Sequence, residues 1–440
     1  MSDCEDSEDS CGEEELVPKW ELRKEWLEGI FEKHFEEPVF VPEFKIIPRC
    51  TSNDSVLSDV TYAEAIVYSK VVRRRIGIII KRLPDDPFSR FFVTEGQYDL
   101  REIKFYTQVN RISLEEMYDN SLKVPICYYA HYSPPGGTDD SPVPPESMLV
   151  LSDFDATSIK FSEGLTFAEA KAALDSIASI HGLSLSMKII DGKPLPERYP
   201  FLFQKAKATD SYQQMVERGF SQLARFLERV PGLETVLEAL MALRPKTKDI
   251  IMTLLAPEGP LALITHTDFW CKNLQFHYAQ ERTTCFILDW QMVAYSRPTN
   301  DVALLLLSSL PSKLRRKHTE SLLDSYWIAL NRSCFLYGVD IPKDLGYTRK
   351  DLAKDYRKSQ LLALLLCIGS IDIALGHPQT EQRLIDVLQD LHNDGILTEE
   401  IAITTTEAEN VIEPTVDLTC TTFIFLPCAA LHDLLIHGTI

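Results

Sequence analysis

Apolar positions follow a strand pattern in the first third of the chain. Alternating or continuous apolar runs predict strands over residues 44–47, 60–68, 75–83, 124–129 and 148–151. Helical spacing of apolar residues predicts an amphipathic helix from Trp20 and a second helix over 97–109. This part of the chain is therefore expected to be mainly β-sheet with few helices.

Beyond residue 154 the apolar residues recur at helical spacing instead. The predicted helices are 166–184, 212–229, 233–254, 299–310, 312–337, 350–373 and 380–393. Short strands are predicted near 263–265, 274–277 and 284–288. A β-rich part followed by a helical part indicates an α+β fold of two lobes, and the cleft between such lobes is a natural ligand site.

These patterns divide the chain into four segments. Residues 1–18 are acidic and contain serine, so we expect a disordered tail. Residues 19–151 are predicted to form the β-rich N-lobe and 152–398 the helical C-lobe. Residues 399–440 fit added strands, a surface segment or a poorly defined end equally well. A stretch rich in Pro, Gly, Ser and Asp at 133–146 predicts a long exposed loop.

Composition narrows the possible partners and the compartment. The chain has 45 basic and 65 acidic residues and a net charge of -20, which argues against a nucleic-acid partner. Its ten cysteines form no C-x-x-C pair, and no basic and apolar leader opens the chain. We therefore expect a cytoplasmic protein with reduced thiols. No apolar stretch is long enough to predict a membrane span.

Several side chains that can take part in catalysis lie close together in the sequence at residues 266–273 (HTDFWCKN). An apolar run that ends at Asp289 follows them. Asp268 is suited to accept a proton from an attacking hydroxyl, while Asn273 and Asp289 offer the oxygen ligands that Mg²⁺ prefers. Such a set fits phosphoryl transfer from ATP, for which the protein supplies positioning and charge neutralisation. An alternative is that Asp268 and Asn273 only cap nearby backbone. His266 fits a structural role better than that of a proton shuttle.

Lys81 ends the buried strand over 75–83. It is predicted to reach the phosphates of ATP and to be held by Glu102 on the following helix, with Glu95 as the alternative partner. A strand-end lysine whose stem covers apolar surface is the simpler interpretation. Asp301 opens an apolar helix, where the helix dipole stabilises it, and is also suited to brace the 266–273 loop.

The strand over 148–151 leads into the segment that joins the two lobes. Its backbone could offer N–H and C=O groups to the adenine of a nucleotide, which makes Val150, Leu151 and Asp153 candidate cofactor-binding residues. A plain connection between the lobes explains the same residues.

The motif at 266–273, together with 287–291 (ILDWQ), resembles the ecdysteroid kinase-like (CHK kinase-like) family, which belongs with the aminoglycoside phosphotransferase and choline kinase group. The stretches 79–84, 102–106, 150–154 and 301–303 add to a resemblance that covers roughly 40–397. It implies a protein-kinase-like fold, use of ATP and Mg²⁺, and a hydroxylated small molecule as acceptor. By that resemblance Asp268 is the catalytic base, Asn273 and Asp289 hold Mg²⁺, and Lys81 with Glu102 positions the phosphates.

Two departures from the family pattern bear on activity. Thr267 stands where the family usually has glycine, and its β-branched side chain restricts the backbone. The turn at 49–55, expected to cover the phosphates, contains no glycine, so the side chains of Asn53 and Ser55 are the candidates to replace backbone contacts. Together these departures predict weakened nucleotide binding.

Two functions therefore remain. The first is an ATP-dependent kinase of a small alcohol that is ecdysteroid-like, choline-like or xenobiotic. The second is a catalytically degenerate protein of the same fold that binds ligands or acts as a scaffold. The cavity beside Asp268 is the feature expected to separate acceptors, because a large apolar cavity fits a steroid-like alcohol and an acidic one fits a cationic amine.

Overall fold

A five-stranded antiparallel sheet dominates the N-terminal part of the protein. The computed structural model describes residues 20–48, 57–70, 72–110, 122–138, 141–154, 156–190, 195–202, 210–256, 259–280 and 282–403. The predicted tail at 1–18, the residues Asn53 and Ser55, and 404–440 lie outside these ranges.

The sheet has the strand order β1-β2-β3-β7-β4. Its strands are β1 (Phe40–Ile47), β2 (Asp59–Tyr68), β3 (Arg73–Arg82), β4 (Cys127–Ser133) and β7 (Glu146–Asp153). In the centre, β3 pairs with β2 on one side and β7 on the other, and Lys81 lies opposite Val60 and Leu149. A buried apolar run with a lysine near its end therefore forms the middle of the sheet, as the pattern predicts.

Helices flank this sheet. Helix α1 (Lys24–Phe35) packs on one face through Leu27, Ile30 and Phe31, which share a core with buried residues of the sheet. Between β3 and β4 the structure has α2 (Pro87–Gly96) and then α3 (Tyr98–Lys104), which continues into a π-turn at Phe105–Val109. Asp86 caps α2 by accepting the backbone N–H of Ser89.

The second part of the chain is mainly helical. Its helices are α4 (Phe167–Ile190), α5 (Leu195–Arg198), α6 (Asp210–Leu227), α7 (Glu234–Leu243), α8 (Thr247–Leu255), α9 (Thr299–Ser309), α10 (Ser312–Leu336), α11 (Ile341–Leu345), α12 (Arg349–Gly369), α13 (Pro378–Asn393) and α14 (Glu400–Ile403). Helix α4 is buried along most of its length and packs against α10. It is therefore the centre of the larger hydrophobic core.

The connections between these helices contain short strands. They are β8 (Thr157–Ser158), β9 (Leu263–Thr265), β10 (Leu274–Ala279), β11 (Arg282–Ile287) and β12 (Ala294–Ser296). Strand β10 pairs with both β11 and β8, and β9 pairs with β12. His266, which follows β9, lies 2.8 Å through its Nε2 from the carbonyl of Leu288, which follows β11, so the two loops meet.

The structure confirms the predicted α+β, two-lobed fold and differs from the predicted elements locally. The helix expected over 233–254 is divided into α7 and α8, because Pro245 begins a 3₁₀ turn at Arg244–Lys246. The loop expected at 133–146 holds a small hairpin of β5 (Gly136–Thr138) and β6 (Ser141–Val143). Among the described residues, no helix is both long enough and apolar enough to cross a membrane.

Candidate active site

Lys81 links the sheet to the helical part of the protein. Its Nζ lies 2.6 Å from Glu102 Oε2 on α3 and 3.0 Å from Asp289 Oδ1, a residue 208 positions later in the sequence. The Lys81 and Glu102 side chains are 11% and 3% exposed, so the pair is shielded from water, whereas the Asp289 side chain is 35% exposed. Glu95, the alternative partner, is exposed on α2.

The residue after Asp289 fixes α3 in place. The Trp290 ring stacks on Phe105 with 3.8 Å between ring centroids and an interplanar angle of 6°. Its backbone N–H donates to Glu102 Oε1 at 3.2 Å. Glu102 therefore binds Lys81 with one oxygen and the turn after Asp289 with the other.

Burial and charge act in opposite directions in this cluster. Burial lowers the pKa of Lys81, but the carboxylates of Asp289 and Glu102 outweigh it and the net shift is upward. Burial raises the pKa of Glu102 to about 7, against the attraction of the Lys81 ammonium. Lys81 is thus held as a cation, as a group that binds phosphate must be.

Asp268 lies in the loop that follows β9. Asn273 Nδ2 donates to Asp268 Oδ2 at 2.8 Å and to the backbone carbonyl of Asp268 at 2.9 Å. Burial raises the pKa of Asp268, and the nearby Asp289 carboxylate adds to the rise, while the bond from Asn273 opposes it. The structure therefore brings Asp268, Asn273 and Asp289 into one neighbourhood.

His266 joins the two loops through both ring nitrogens. Its Nδ1 accepts the backbone N–H of Asp268 at 3.2 Å, so the proton is on Nε2, which donates to the carbonyl of Leu288 at 2.8 Å. The imidazole is consequently neutral and fully bonded. It ties the residue before Asp289 to Asp268, which fits the structural role better than that of a proton shuttle.

Thr267 adopts the backbone conformation that glycine favours. Its φ is +68°, in the left-handed region that costs a β-branched residue energy. The buried Asp301 carboxylate holds this conformation, because Oδ1 accepts the N–H of Thr267 at 2.6 Å and Oδ2 accepts the N–H of His266 at 2.7 Å. His181 Nε2 lies 3.1 Å from the same Oδ2. The loop thus reaches a glycine-like geometry with threonine in place.

The oxygen donors in this neighbourhood fit a magnesium ion that is shared with phosphates. Within the described ranges, no three His, Cys, Asp or Glu side chains converge as a metal site made of protein alone. A carboxylate from Asp289 and an amide oxygen from Asn273 are instead the few hard ligands that suit Mg²⁺ when substrate phosphates complete its coordination. Lys81 neutralises part of the same carboxylate.

A cavity with an empty volume of about 780 Å³, including the space at its mouth, opens beside Asp268. Most of its lining is apolar and comes from α9, α12 and α13, with Leu304, Leu307, Leu364, Leu384 and Val387 as examples. Asp268 and Arg383 are the charged residues of that lining. The cavity is therefore suited to a mainly apolar molecule that places one group at Asp268.

Other predicted site residues are arranged differently. Val150 and Leu151 lie inside the ladder of β7, paired with Ile80 and Ile79 of β3, and their side chains are buried. Asp153 is at the end of the same strand, opposite Gly77. The backbones of Val150 and Leu151 are paired within the sheet and do not face the Lys81 cluster as free groups. Their role in binding adenine stays a prediction.

Trp270, Phe161 and Arg383 are among the cavity residues that the sequence did not single out. Trp270 and Phe161 meet edge to face with 5.5 Å between ring centroids, and the Arg383 guanidinium lies 5.2 Å from the centre of the Phe161 ring. Trp270 stands inside the 266–273 motif, and this position was the available signal. Arg383 and Phe161 gave none, because an arginine in an amphipathic helix usually faces solvent.

Comparison with solved structures finds kinases at low identity. A choline kinase from Cryptosporidium parvum Iowa II is 12% identical, with 85% of this chain and 98% of that chain covered and a TM-score of 0.47. A microcompartment-associated aminopropanol kinase is 10% identical, with 81% and 95% covered and a TM-score of 0.43. A Plasmodium vivax ethanolamine kinase is 10% identical, with 79% and 81% covered and a TM-score of 0.40.

Sequence comparison identifies the family. No curated protein sequence matches the chain. The model of the ecdysteroid kinase-like family matches residues 54–338, a range that contains β3, α3 and both loops of the candidate site. The resemblance carried by residues 266–273 and 287–291 is thereby confirmed, and this chain belongs to the ecdysteroid kinase-like family.

Proposed function

We propose that this protein transfers the γ-phosphoryl group of ATP to a hydroxyl of a small, mainly apolar alcohol. The observation that carries the proposal is the 3.0 Å contact between Lys81 of the sheet and Asp289 of the helical part, formed next to the cavity that Asp268 lines. A cation for phosphates, oxygen donors for a metal and a base for a hydroxyl are the parts that this reaction requires.

Lys81 and Glu102 form the phosphate-binding side of the site. The ammonium attracts the phosphate oxygens of ATP, and Glu102 keeps it in position from a buried place on α3. Because Glu102 also accepts the N–H of Trp290, the lysine and the Asp289 turn keep a fixed spacing before the nucleotide binds. Such preorganisation lowers the barrier because little has to rearrange during transfer.

Asp268 is the proposed catalytic base. The acceptor oxygen forms a bond to the γ-phosphorus while the bond from that phosphorus to the bridging oxygen of ADP breaks. The acceptor proton passes to the Asp268 carboxylate, whose raised pKa improves it as a proton acceptor. The hydrogen bond from Asn273 fixes the direction of the carboxylate.

Asn273 and Asp289 are the proposed ligands of Mg²⁺. When bound, the ion neutralises charge on the phosphate oxygens and helps to orient them. The two side chains suit it because one is an anion and the other a neutral oxygen donor already anchored to Asp268.

The cavity supports an acceptor with an apolar body. Apolar side chains, leucine and isoleucine foremost, make up most of its wall, and Asp268 is its one carboxylate among the described lining residues. A quaternary amine or a polyamine usually requires acidic or aromatic surroundings, which this wall supplies sparsely. An ecdysteroid-like or xenobiotic alcohol with an apolar body therefore fits this wall better than a choline-like alcohol.

Turnover by an Asp268→Asn variant tests the proposal. Purified protein is incubated with Mg²⁺, labelled ATP and a panel of hydroxylated steroids and xenobiotic alcohols, and transfer of label to the acceptor is measured. We expect transfer by the unchanged protein and a loss of at least about 100-fold in the variant, the effect of removing a general base. Asp390→Asn is the matched control, because Asp390 binds Arg315 and Arg316 and does not line the cavity. Equal turnover by Asp268→Asn would refute the assigned base.

Nucleotide binding separates the kinase from a degenerate relative. Bound MgATP should raise the melting temperature of the protein through linkage, and Lys81→Met should abolish the rise. No stabilisation of the unchanged protein at millimolar MgATP would favour the degenerate alternative.

A further inference from the structure

Arg383 is a buried cation in the wall of an apolar cavity. It lies on α13, is 6% exposed, and shares the cavity with Asp268. Among the described residues, the side chains of Asp and Glu form no ion pair with it; its two protein hydrogen bonds go to the carbonyls of Ser308 and Ser162, each at 3.0 Å. Its described partners in the wall are therefore neutral carbonyls, and no carboxylate among the described residues is paired with it.

The guanidinium is also held in a fixed orientation. One nitrogen is bonded to the end of α9 and the other to the segment before α4, while the Phe161 ring packs against its face. An arginine has five N–H groups, and the two carbonyls take one each, so donors remain for a ligand in the cavity. A rigid, planar donor of this kind suits the two oxygens of a carboxylate or a sulfate.

An isolated charge in an apolar wall is costly unless a partner compensates it. Burial lowers the pKa of Arg383, because the apolar surroundings disfavour the charged guanidinium. A ligand that brings an anion to the guanidinium removes the cost, whereas a ligand that brings a cation increases it. The wall of the cavity consequently discriminates between acceptors by their charge.

From this geometry we propose that Arg383 selects an acceptor that carries an anionic oxygen group on its apolar body, with the hydroxyl at Asp268 and the anion at Arg383. Arg383 is thus a specificity-determining residue that favours hydroxy acids or sulfates over amino alcohols. The inference rests on the proposed kinase function and deepens it, since it names the chemical class of the acceptor.

A series of three matched acceptors tests the inference on the unchanged protein. Each is the same hydroxylated steroid, and the side chain ends in a carboxylate, a carboxamide or a primary amine. We expect kcat/KM for the carboxylate to exceed that for the carboxamide about 10-fold, the difference between a charge-assisted and a neutral hydrogen bond, and to exceed that for the amine about 100-fold. Equal values for the carboxylate and the amine overturn the inference.

Variants then assign the preference to one side chain. Arg383→Gln should reduce the ratio of carboxylate to carboxamide to about 1, and Arg383→Lys should keep part of it, because a point charge remains without the planar fork. Arg315→Gln is the matched control: Arg315 is also 6% exposed and contacts the same helix α13, through Asp390, but does not line the cavity. The control should keep the full ratio, and a full ratio in Arg383→Gln contradicts the proposal.

Binding without ATP separates this inference from the kinase function. Calorimetry of the three acceptors with the protein alone measures their affinities when no transfer is possible. A preference for the carboxylate in binding, without turnover of any acceptor, supports the inference and refutes the kinase proposal. Turnover without a charge preference supports the kinase and refutes the inference, and no binding of any acceptor refutes the inference.

Discussion

Replacement of Asp301 by asparagine is the change that most directly tests how the loop at Asp268 is supported. The carboxylate is fully buried, and its two oxygens accept the N–H groups of Thr267 and His266 and face His181 Nε2. Because a carboxylate only accepts, Nε2 carries a proton of His181, and Nδ1 lies 2.7 Å from the Tyr326 hydroxyl. Asparagine keeps the size of the side chain but supplies one acceptor oxygen.

The cost follows from those bonds. In the variant, the amide oxygen can still accept one backbone N–H of the loop. The amide N–H₂ group then faces the other donor, which is buried and loses its acceptor. An unsatisfied buried donor costs about 1–3 kcal/mol, and bonds to a charged acceptor are worth about 1.5–3 kcal/mol each. We therefore expect Asp301→Asn to lower the free energy of unfolding by about 3 kcal/mol. We also expect kcat to fall about 100-fold, because Thr267 is released from its left-handed conformation and Asp268 moves with it.

Two measurements check this expectation. Urea unfolding gives the loss of stability, and phosphoryl transfer to the best acceptor gives kcat. Asp390→Asn, which removes the charge of an aspartate on α13 that does not line the cavity, serves as the control for activity and should leave kcat unchanged. A loss below about 1 kcal/mol in Asp301→Asn, with kcat unchanged, is incompatible with support of the loop by this carboxylate.

Three further predictions concern stability. Thr267→Gly should change the free energy of unfolding by less than about 1 kcal/mol and leave transfer intact, because relief of the strain at φ +68° offsets the greater freedom of glycine in the unfolded chain; urea unfolding and kcat measure it. Gly219→Ala should cost at least about 2 kcal/mol, because an added Cβ on α6 would lie 1.9 Å from a backbone carbonyl of α12. Gly29→Ala on α1 is the matched control. Nothing lies within 4 Å of the added Cβ there, so this variant should stabilise the protein by up to about 1 kcal/mol in the same urea assay. Asp351 forms a capping box with Thr348, and the Thr348 hydroxyl bond and Lys354 lower the pKa of Asp351 from 3.8 to about 2. The ionised carboxylate therefore stabilises the folded protein above pH 3.8, and this contribution is lost as the pH falls through 2. Asp351→Asn should therefore cost about 1 kcal/mol at pH 7 and clearly less at pH 2, a difference that urea unfolding at both pH values detects.

The periodicity of apolar residues was enough to predict most elements of the fold. The run that ends at Lys81 became the centre of the sheet, and the helices predicted over 299–310 and 312–337 are α9 and α10. Where prediction failed, a local effect competed with periodicity. Pro245 divided one predicted helix, and α2 was missed because its capping signal at Asp86 precedes a helix with a single buried residue.

The candidate site could be predicted only in part, for a different reason. Lys81, Glu102, Asp268, Asn273 and Asp289 stand in a recognisable order, so their side chains could be selected before their distances were known. The cavity beside Asp268 has no such order, because its wall is assembled from several separate segments of the chain. A buried arginine and a surface arginine look alike in one sequence, and packing alone distinguishes them.

The aromatic stack between Phe105 and Trp290 has a consequence for regulation. In kinases that are switched on and off, the helix that carries the glutamate swings away from its lysine. In this protein, Glu102 and Phe105 both hold that helix against Trp290, in the turn that bears Asp289. We therefore expect the Lys81–Glu102 pair to stay formed without an activating modification.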